Sequence, residues 1–140
     1  MSKFVVDASV AIKWVLPEIH SDAAMLLLHN DRDLLVPDFF FPEIGNILWK
    51  RVRRGEATLE NAIDDFRRLM AIDLDVQPSL SLMPQALEIA VRIEQAVYDC
   101  VYLALAVSND CQMVTADQRF YNALRGDTLD PHICWVEDLS

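Results

Sequence analysis

The chain has 140 residues, 53% of them hydrophobic, only 3 glycines and a formal net charge of −10. That suits one folded domain (residues 1–140) with a sizeable core, and it excludes a disordered or low-complexity chain. The acidic balance argues against a general nucleic-acid binder, whose phosphate contacts need lysine and arginine. It leaves room for a nuclease that gathers carboxylates around cations and keeps its basic residues in one patch.

The elements read as follows in chain order. Residues 3–6 form a short buried strand ending in Asp7, and a helix starts at Ser9 and runs to about Leu16, before Pro17. Ser21 to Asn30 carries Ala24, Leu27 and Leu28 at helical spacing. Leu34-Leu35-Val36 is a second strand, stopped by Pro37. A longer helix from about Phe41 to Arg54 has Ile44, Leu48 and Val52 on one face and Gly55 as its stop. Thr58 caps the next helix, with Ala62, Phe66 and Leu69 inward and Glu60 in the first turn. Leu74-Asp75-Val76 is a third strand. Met83 to Glu94 and Tyr98 to Asn109 are helices, the second largely buried. Gln112 to Thr115 is a strand, Asp117 to Leu124 a short helix, and Ile133 to Val136 the last strand. Short apolar strands separated by helices predict an α/β fold of three layers, a short central parallel sheet flanked by helices.

No apolar run approaches the ~20 residues of a membrane span, and no export leader is evident, so a cytoplasmic protein without membrane contact is expected. Cys100, Cys111 and Cys134 are odd in number and lack CxxC spacing. They read as small core hydrophobes in a reducing compartment.

In open parallel sheets, sites form beyond the carboxyl ends of the strands. Asp7 ends the first strand and Asp117 follows the fourth, and these strands are neighbours if the order reverses beside the first. Asp99 and Glu43 are the remaining acids among apolar neighbours. Each has a structural alternative: Asp99 and Glu43 favour a helix dipole in a first turn, and Asp117 suits a cap. Together on one edge they would repel one another and hold their charges only with cations. Oxygen-only ligands suit Mg²⁺ or Mn²⁺ rather than zinc. His20, His29 and His132 read as surface residues rather than ligands.

Asp7-Ala-Ser9, Pro42-Glu43-Ile44-Gly45-Asn46, Tyr98-Asp99, and Thr115-Ala116-Asp117-Gln118-Arg119-Phe120, in that order across essentially the whole chain, resemble the PIN domain. More closely they resemble the VapC-type ribonuclease toxins of toxin–antitoxin pairs. The resemblance implies that Asp7, Glu43, Asp99 and Asp117 form a catalytic, metal-binding cluster. It implies that Ser9 and Thr115 support the acids, although plain caps remain the alternative, and that Asn46 is a nearby polar group. It further implies RNA as substrate, cleavage to 5′-phosphate and 3′-hydroxyl ends, a homodimer, and a cognate antitoxin lying in a groove.

The basic residues can be placed by helical geometry. Glu43, Ile47, Lys50 and Arg54 lie within about 60° of one another at 100° per residue, with Asn46 and Arg53 flanking, over roughly 16 Å of axis. Lys50, Arg53 and Arg54 thus read as a phosphate track leading from Glu43, widened by Arg67 and Arg68; the alternative is simple complement of a helix C-terminus. Trp14, Phe39, Phe40, Phe41, Trp49 and Trp135 belong mostly to the core, unless a cluster from the first and third helices meets a partner. Three rivals compete. A haloacid-dehalogenase-type phosphatase needs an acid where Ser9 stands, and a receiver-like phospho-acceptor needs a lysine after the last strand. The third is a catalytically idle RNA-binding or protein-interaction module, against which the four acids speak. A DNA-directed nuclease remains open, because nothing in the sequence reads a 2′-hydroxyl.

Overall fold

The computed structural model describes residues 2–29 and 31–139. Met1, Ser140 and the expected helix end at Asn30 lie outside the described residues. Five strands alternate with helices: β1 (Lys3–Val6), α1 (Ala8–Ala11), α2 (Ser21–Met25), β2 (Asp33–Pro37), α3 (Phe40–Arg53), α4 (Leu59–Met70) and β3 (Asp75–Gln77) come first. Then follow α5 (Met83–Ile93), α6 (Val97–Ser108), β4 (Gln112–Thr115), α7 (Gln118–Ala123) and β5 (Ile133–Trp135).

The strands form one sheet in the order β3-β2-β1-β4-β5, every pair parallel. Val5 stands between Leu35 and Met113, and Val6 opposite Val114. Consecutive strands move outward from β1 to β3 on one side, and the chain then crosses back to β4 and β5. Because parallel crossovers are right-handed, connections running in opposite directions lie on opposite faces, which gives the three layers. The reversal falls between β1 and β4, so the loops after these strands diverge and leave a crevice at their carboxyl ends.

Local sequence explains most boundaries. Alpha-helix α6 is buried from Cys100 to Ala106 and packs on β1, β2 and β4. The Thr58 hydroxyl accepts the Asn61 amide at 3.1 Å and starts α4. Gly55 has φ +75° and ends α3 with two reversed bonds, Gly55 N–H to the Val52 carbonyl and Glu56 N–H to that of Arg51. A left-handed residue there needs no Cβ, which is why glycine serves.

Three expectations need correction. The first helix starts from Asp7, whose carboxylate accepts the Ser9 amide, and not from Ser9. It is one α-helical turn followed by a 3₁₀ turn at Ile12–Trp14, because Pro17 forbids continuation. The second helix is likewise short, giving way to a 3₁₀ turn at Leu26–Leu28. The third strand sits one residue later than expected, at Asp75–Gln77. It is a largely exposed edge strand whose side chains carry little apolar pattern to fix register.

Candidate active site

Asp7 is 5% exposed, in the first loop beyond β1. Its Oδ1 accepts the Ser9 amide at 3.2 Å, and its Oδ2 accepts the Ser9 hydroxyl at 3.1 Å and the Thr115 hydroxyl at 2.9 Å. Burial pushes its pKa up; the bonds from Ser9 and Thr115 oppose that, and the charge of Asp117 adds to it. The carboxylate is therefore held in one orientation at a cost in solvation.

The same hydroxyls tie β1 to β4. Thr115 Oγ1 accepts the Asp117 amide at 3.1 Å, and Ser9 Oγ accepts the Ala116 amide at 3.3 Å. Asp117 caps α7, its Oδ1 accepting the amides of Arg119 and Phe120 at 3.0 and 3.2 Å. Both bonds fall on one oxygen, so capping leaves the lone pairs of Oδ2 unused.

Asp99 lies in the first turn of α6 and Glu43 in the first turn of α3. Burial and then the charges of Asp7, Asp117 and Glu43 push the Asp99 carboxyl up to about 7. Burial first, then Asp7, raises Glu43, while a hydrogen bond from Tyr102 lowers it. Tyr102 is fully buried and donates its hydroxyl to Glu43 Oε1 at 2.5 Å. Side chains from positions 7, 43, 99 and 117 thus act on one another at the crevice beside β1 and β4.

The donor set fits a hard divalent cation, being oxygen throughout and anionic. Among the described residues, however, no three side chains stand in ready ligating geometry. The four acids therefore act on one another through their charges without forming a ready-made ligand set.

Of the other candidate residues, Asn46, Lys50, Arg53 and Arg54 are exposed, and the last three line a shallow pocket on α3. Arg53 stacks over the Trp49 ring at 5.4 Å. Arg68 does not widen this track: it is bound to Asp65 at 2.5 Å and to the Val15 carbonyl at 3.0 Å. Arg67 is exposed and faces Asp64 at 3.7 Å. His20 pairs with Glu137 at 2.6 Å, and His132 meets the Cys111 carbonyl at 3.0 Å, away from the acids. No free apolar surface comes from the first helix, because Trp14 is buried and donates Nε1 to the Ala24 carbonyl at 2.9 Å. The apolar surface lies instead between α3 and α4, a groove of about 400 Å³ lined by Leu48, Trp49, Val52, Leu59, Ile63 and Phe66 among others.

Two residues escape sequence reading. Tyr102 carries the one hydroxyl within the apolar run Cys100–Ala106; a phenol buried in such a helix needs a partner, and that was the available signal. Lys13 is buried and pairs with Glu18 at 3.3 Å, bracing the loop between α1 and α2. Nothing in its spacing marks it.

Comparison with known proteins identifies the family and the fold. The PIN domain family profile matches residues 4–125. Ribonuclease VapC3 of Pyrobaculum aerophilum is 29% identical over 120 residues, 84% of this chain and 91% of that protein. The crystal structure of PAE2754 from Pyrobaculum aerophilum superposes with a TM-score of 0.71 at 24% identity, covering 97% of this chain and 85% of the other. A toxin–antitoxin complex from Klebsiella pneumoniae superposes with a TM-score of 0.64 at 11% identity, covering 99% and 100% of the two chains.

Proposed function

This chain belongs to the PIN domain family, and on that premise we propose that it is a divalent-cation-dependent endoribonuclease of the VapC toxin type, restrained by a cognate antitoxin. The observation that carries the reading is the mutual action of four carboxylates, remote in sequence, that raises Asp99 to about 7. A fold gathers such charges in one crevice at a cost in stability, and a cation that neutralises them is the chemical return. The similarity to a curated ribonuclease supports RNA as the substrate.

Mg²⁺ is the proposed cation, with Mn²⁺ able to replace it, and Asp7, Asp99, Asp117 and Glu43 are the residues that would hold it. When bound, such an ion activates water and neutralises charge on the scissile phosphate. Asp7 offers a carboxylate fixed by Ser9 and Thr115. Asp99 adds a second from α6, and Asp117 a third through Oδ2, the oxygen its cap does not use. Glu43 orients the attacking water. In-line displacement of the 3′ oxygen leaves a 5′-phosphate and a 3′-hydroxyl. Lys50, Arg53 and Arg54 hold backbone phosphates of the RNA leading away from the acids.

The protein partners are assigned to two apolar surfaces. The α3–α4 groove, with Trp49 53% exposed, receives an antitoxin segment. Met83, Leu87 and Val91 recur every four residues on α5 and leave an exposed stripe, which takes a second copy of the chain. No helix among the described residues is long and apolar enough to cross a membrane, and we assign the protein to the cytoplasm.

The deciding experiment measures cleavage of single-stranded and structured RNA, and of matching DNA, with Mg²⁺ or with EDTA. RNA cleavage that EDTA stops and Asp7→Asn reduces by about a hundredfold or more is the expected result. Equal cleavage by wild type and Asp7→Asn refutes the site, and cleavage confined to DNA replaces the substrate.

A further inference from the structure

We propose that Tyr102 is a positioning residue of the acidic cluster: its hydroxyl fixes the Glu43 carboxylate so that Oε2 alone is presented to the cation and its water. The inference rests on the nuclease reading above and adds a residue outside the four acids. Three observations carry it. The Tyr102 hydroxyl donates to Glu43 Oε1 at 2.5 Å, in the short range of charge-assisted O–H···O⁻ bonds. The tyrosine is fully buried and its ring meets Phe39 edge-on at 5.6 Å and 89°, so the hydroxyl is a fixed point rather than a mobile donor. Tyr102 also follows Asp99 by three residues on α6, which places both on one helix face.

The physical consequence concerns entropy and denticity. A free glutamate samples several rotamers, and ordering it on a cation costs side-chain entropy. Phe39 directly precedes α3, whose first turn holds Glu43, so the aromatic pair links α6 to the start of α3. With Oε1 already accepting from the phenol, ligation through Oε2 is favoured over chelation by both oxygens. A single face of α6 then supplies one acid directly and sets the geometry of another.

The test uses Mn²⁺ itself as the probe, followed by electron paramagnetic resonance on the RNA-free protein, in a double-mutant cycle of Tyr102→Phe and Glu43→Gln. Glutamine keeps an acceptor for the phenol, so Glu43→Gln is expected to fold. Tyr102→Phe should weaken Mn²⁺ binding about tenfold, the scale seen for groups that orient ligands. It should add nothing in the Glu43→Gln background, and in RNA cleavage it should lower kcat with little change in KM. Wild-type Mn²⁺ affinity in Tyr102→Phe, or effects that simply add, would overturn the proposal. If Tyr102→Phe fails to fold, Phe39→Leu loosens the ring without removing the hydroxyl, and the same direction of change is required of it. Mn²⁺ bound normally by Asp7→Asn would overturn both this proposal and the site. Mn²⁺ bound as expected in a protein that cuts no RNA would overturn the nuclease reading and leave the positioning role standing.

Discussion

Asp99 is held at about 7 by burial and by three neighbouring acids, against ~3.9 for an unperturbed aspartate. Between those values the folded chain keeps a proton that the unfolded chain has lost. Stability therefore falls as pH rises through this window and is lowest above it. Asp7 and Glu43, also raised chiefly by burial, contribute with the same sign. Calorimetric melting in EDTA should accordingly show a falling melting temperature from pH 5 to pH 8, and Mg²⁺ should flatten the trend by favouring the ionised forms. Asp99→Asn should melt at or above wild type at pH 8 while losing cleavage by about a hundredfold or more. A melting temperature several degrees lower would mark Asp99 as structural. How these acids meet was only half legible in the sequence. Asp7 and Asp117 could be assigned to strand ends from the order of elements alone. The Thr115 bond to Asp7 joins residues 108 positions apart, which no local pattern encodes, and Tyr102 sits inside an apolar helix far in sequence from Glu43.

At the scale of elements, α3 is the piece that joins chemistry to substrate under the proposed function. Its first turn carries Glu43 and its last carries Lys50, Arg51 and Arg53, so the dipole favours both ends. Lys50 and Arg54 are exposed and make no ion pair among the described residues, which leaves them available to phosphates. In an Asp7→Asn background, replacing both by Ala should weaken binding to single-stranded RNA and reduce its salt slope by about 1.4, at ~0.7 per neutralised phosphate. Filter binding across salt concentrations measures this, and an unchanged slope would mean that the cations serve the helix end alone. This helix was readable because Ile44 and Leu48 repeat at four residues and are both buried. Helices α1 and α2 were legible in position but not in length, because a single α turn and a 3₁₀ turn differ in hydrogen-bond register rather than in hydrophobic period. The slip at β3 has another cause: the strand is only three residues long and largely exposed, so burial does not mark where it begins.

For the molecule as a whole, a net charge of −10 opposes RNA binding in general, and under the proposed function the basic end of α3 offsets it along a track that leads to the acids. The two apolar surfaces lie on different helices, the groove on α3 and α4 and the stripe on α5. An antitoxin and a second copy can therefore be lost independently. Ile63 is 42% exposed at the groove and Val91 74% exposed on the stripe, so a charge at either disturbs little of the core. Ile63→Asp should remain dimeric and active yet escape inhibition by the co-expressed antitoxin. Leu87→Asp combined with Val91→Asp should sediment as a monomer and still be inhibited. Sedimentation velocity and cleavage of RNA with and without antitoxin read both outcomes. If the α5 variant stays dimeric, or the groove variant stays inhibited, that surface has been given the wrong partner. If each variant shows the other's phenotype, the two assignments must be exchanged.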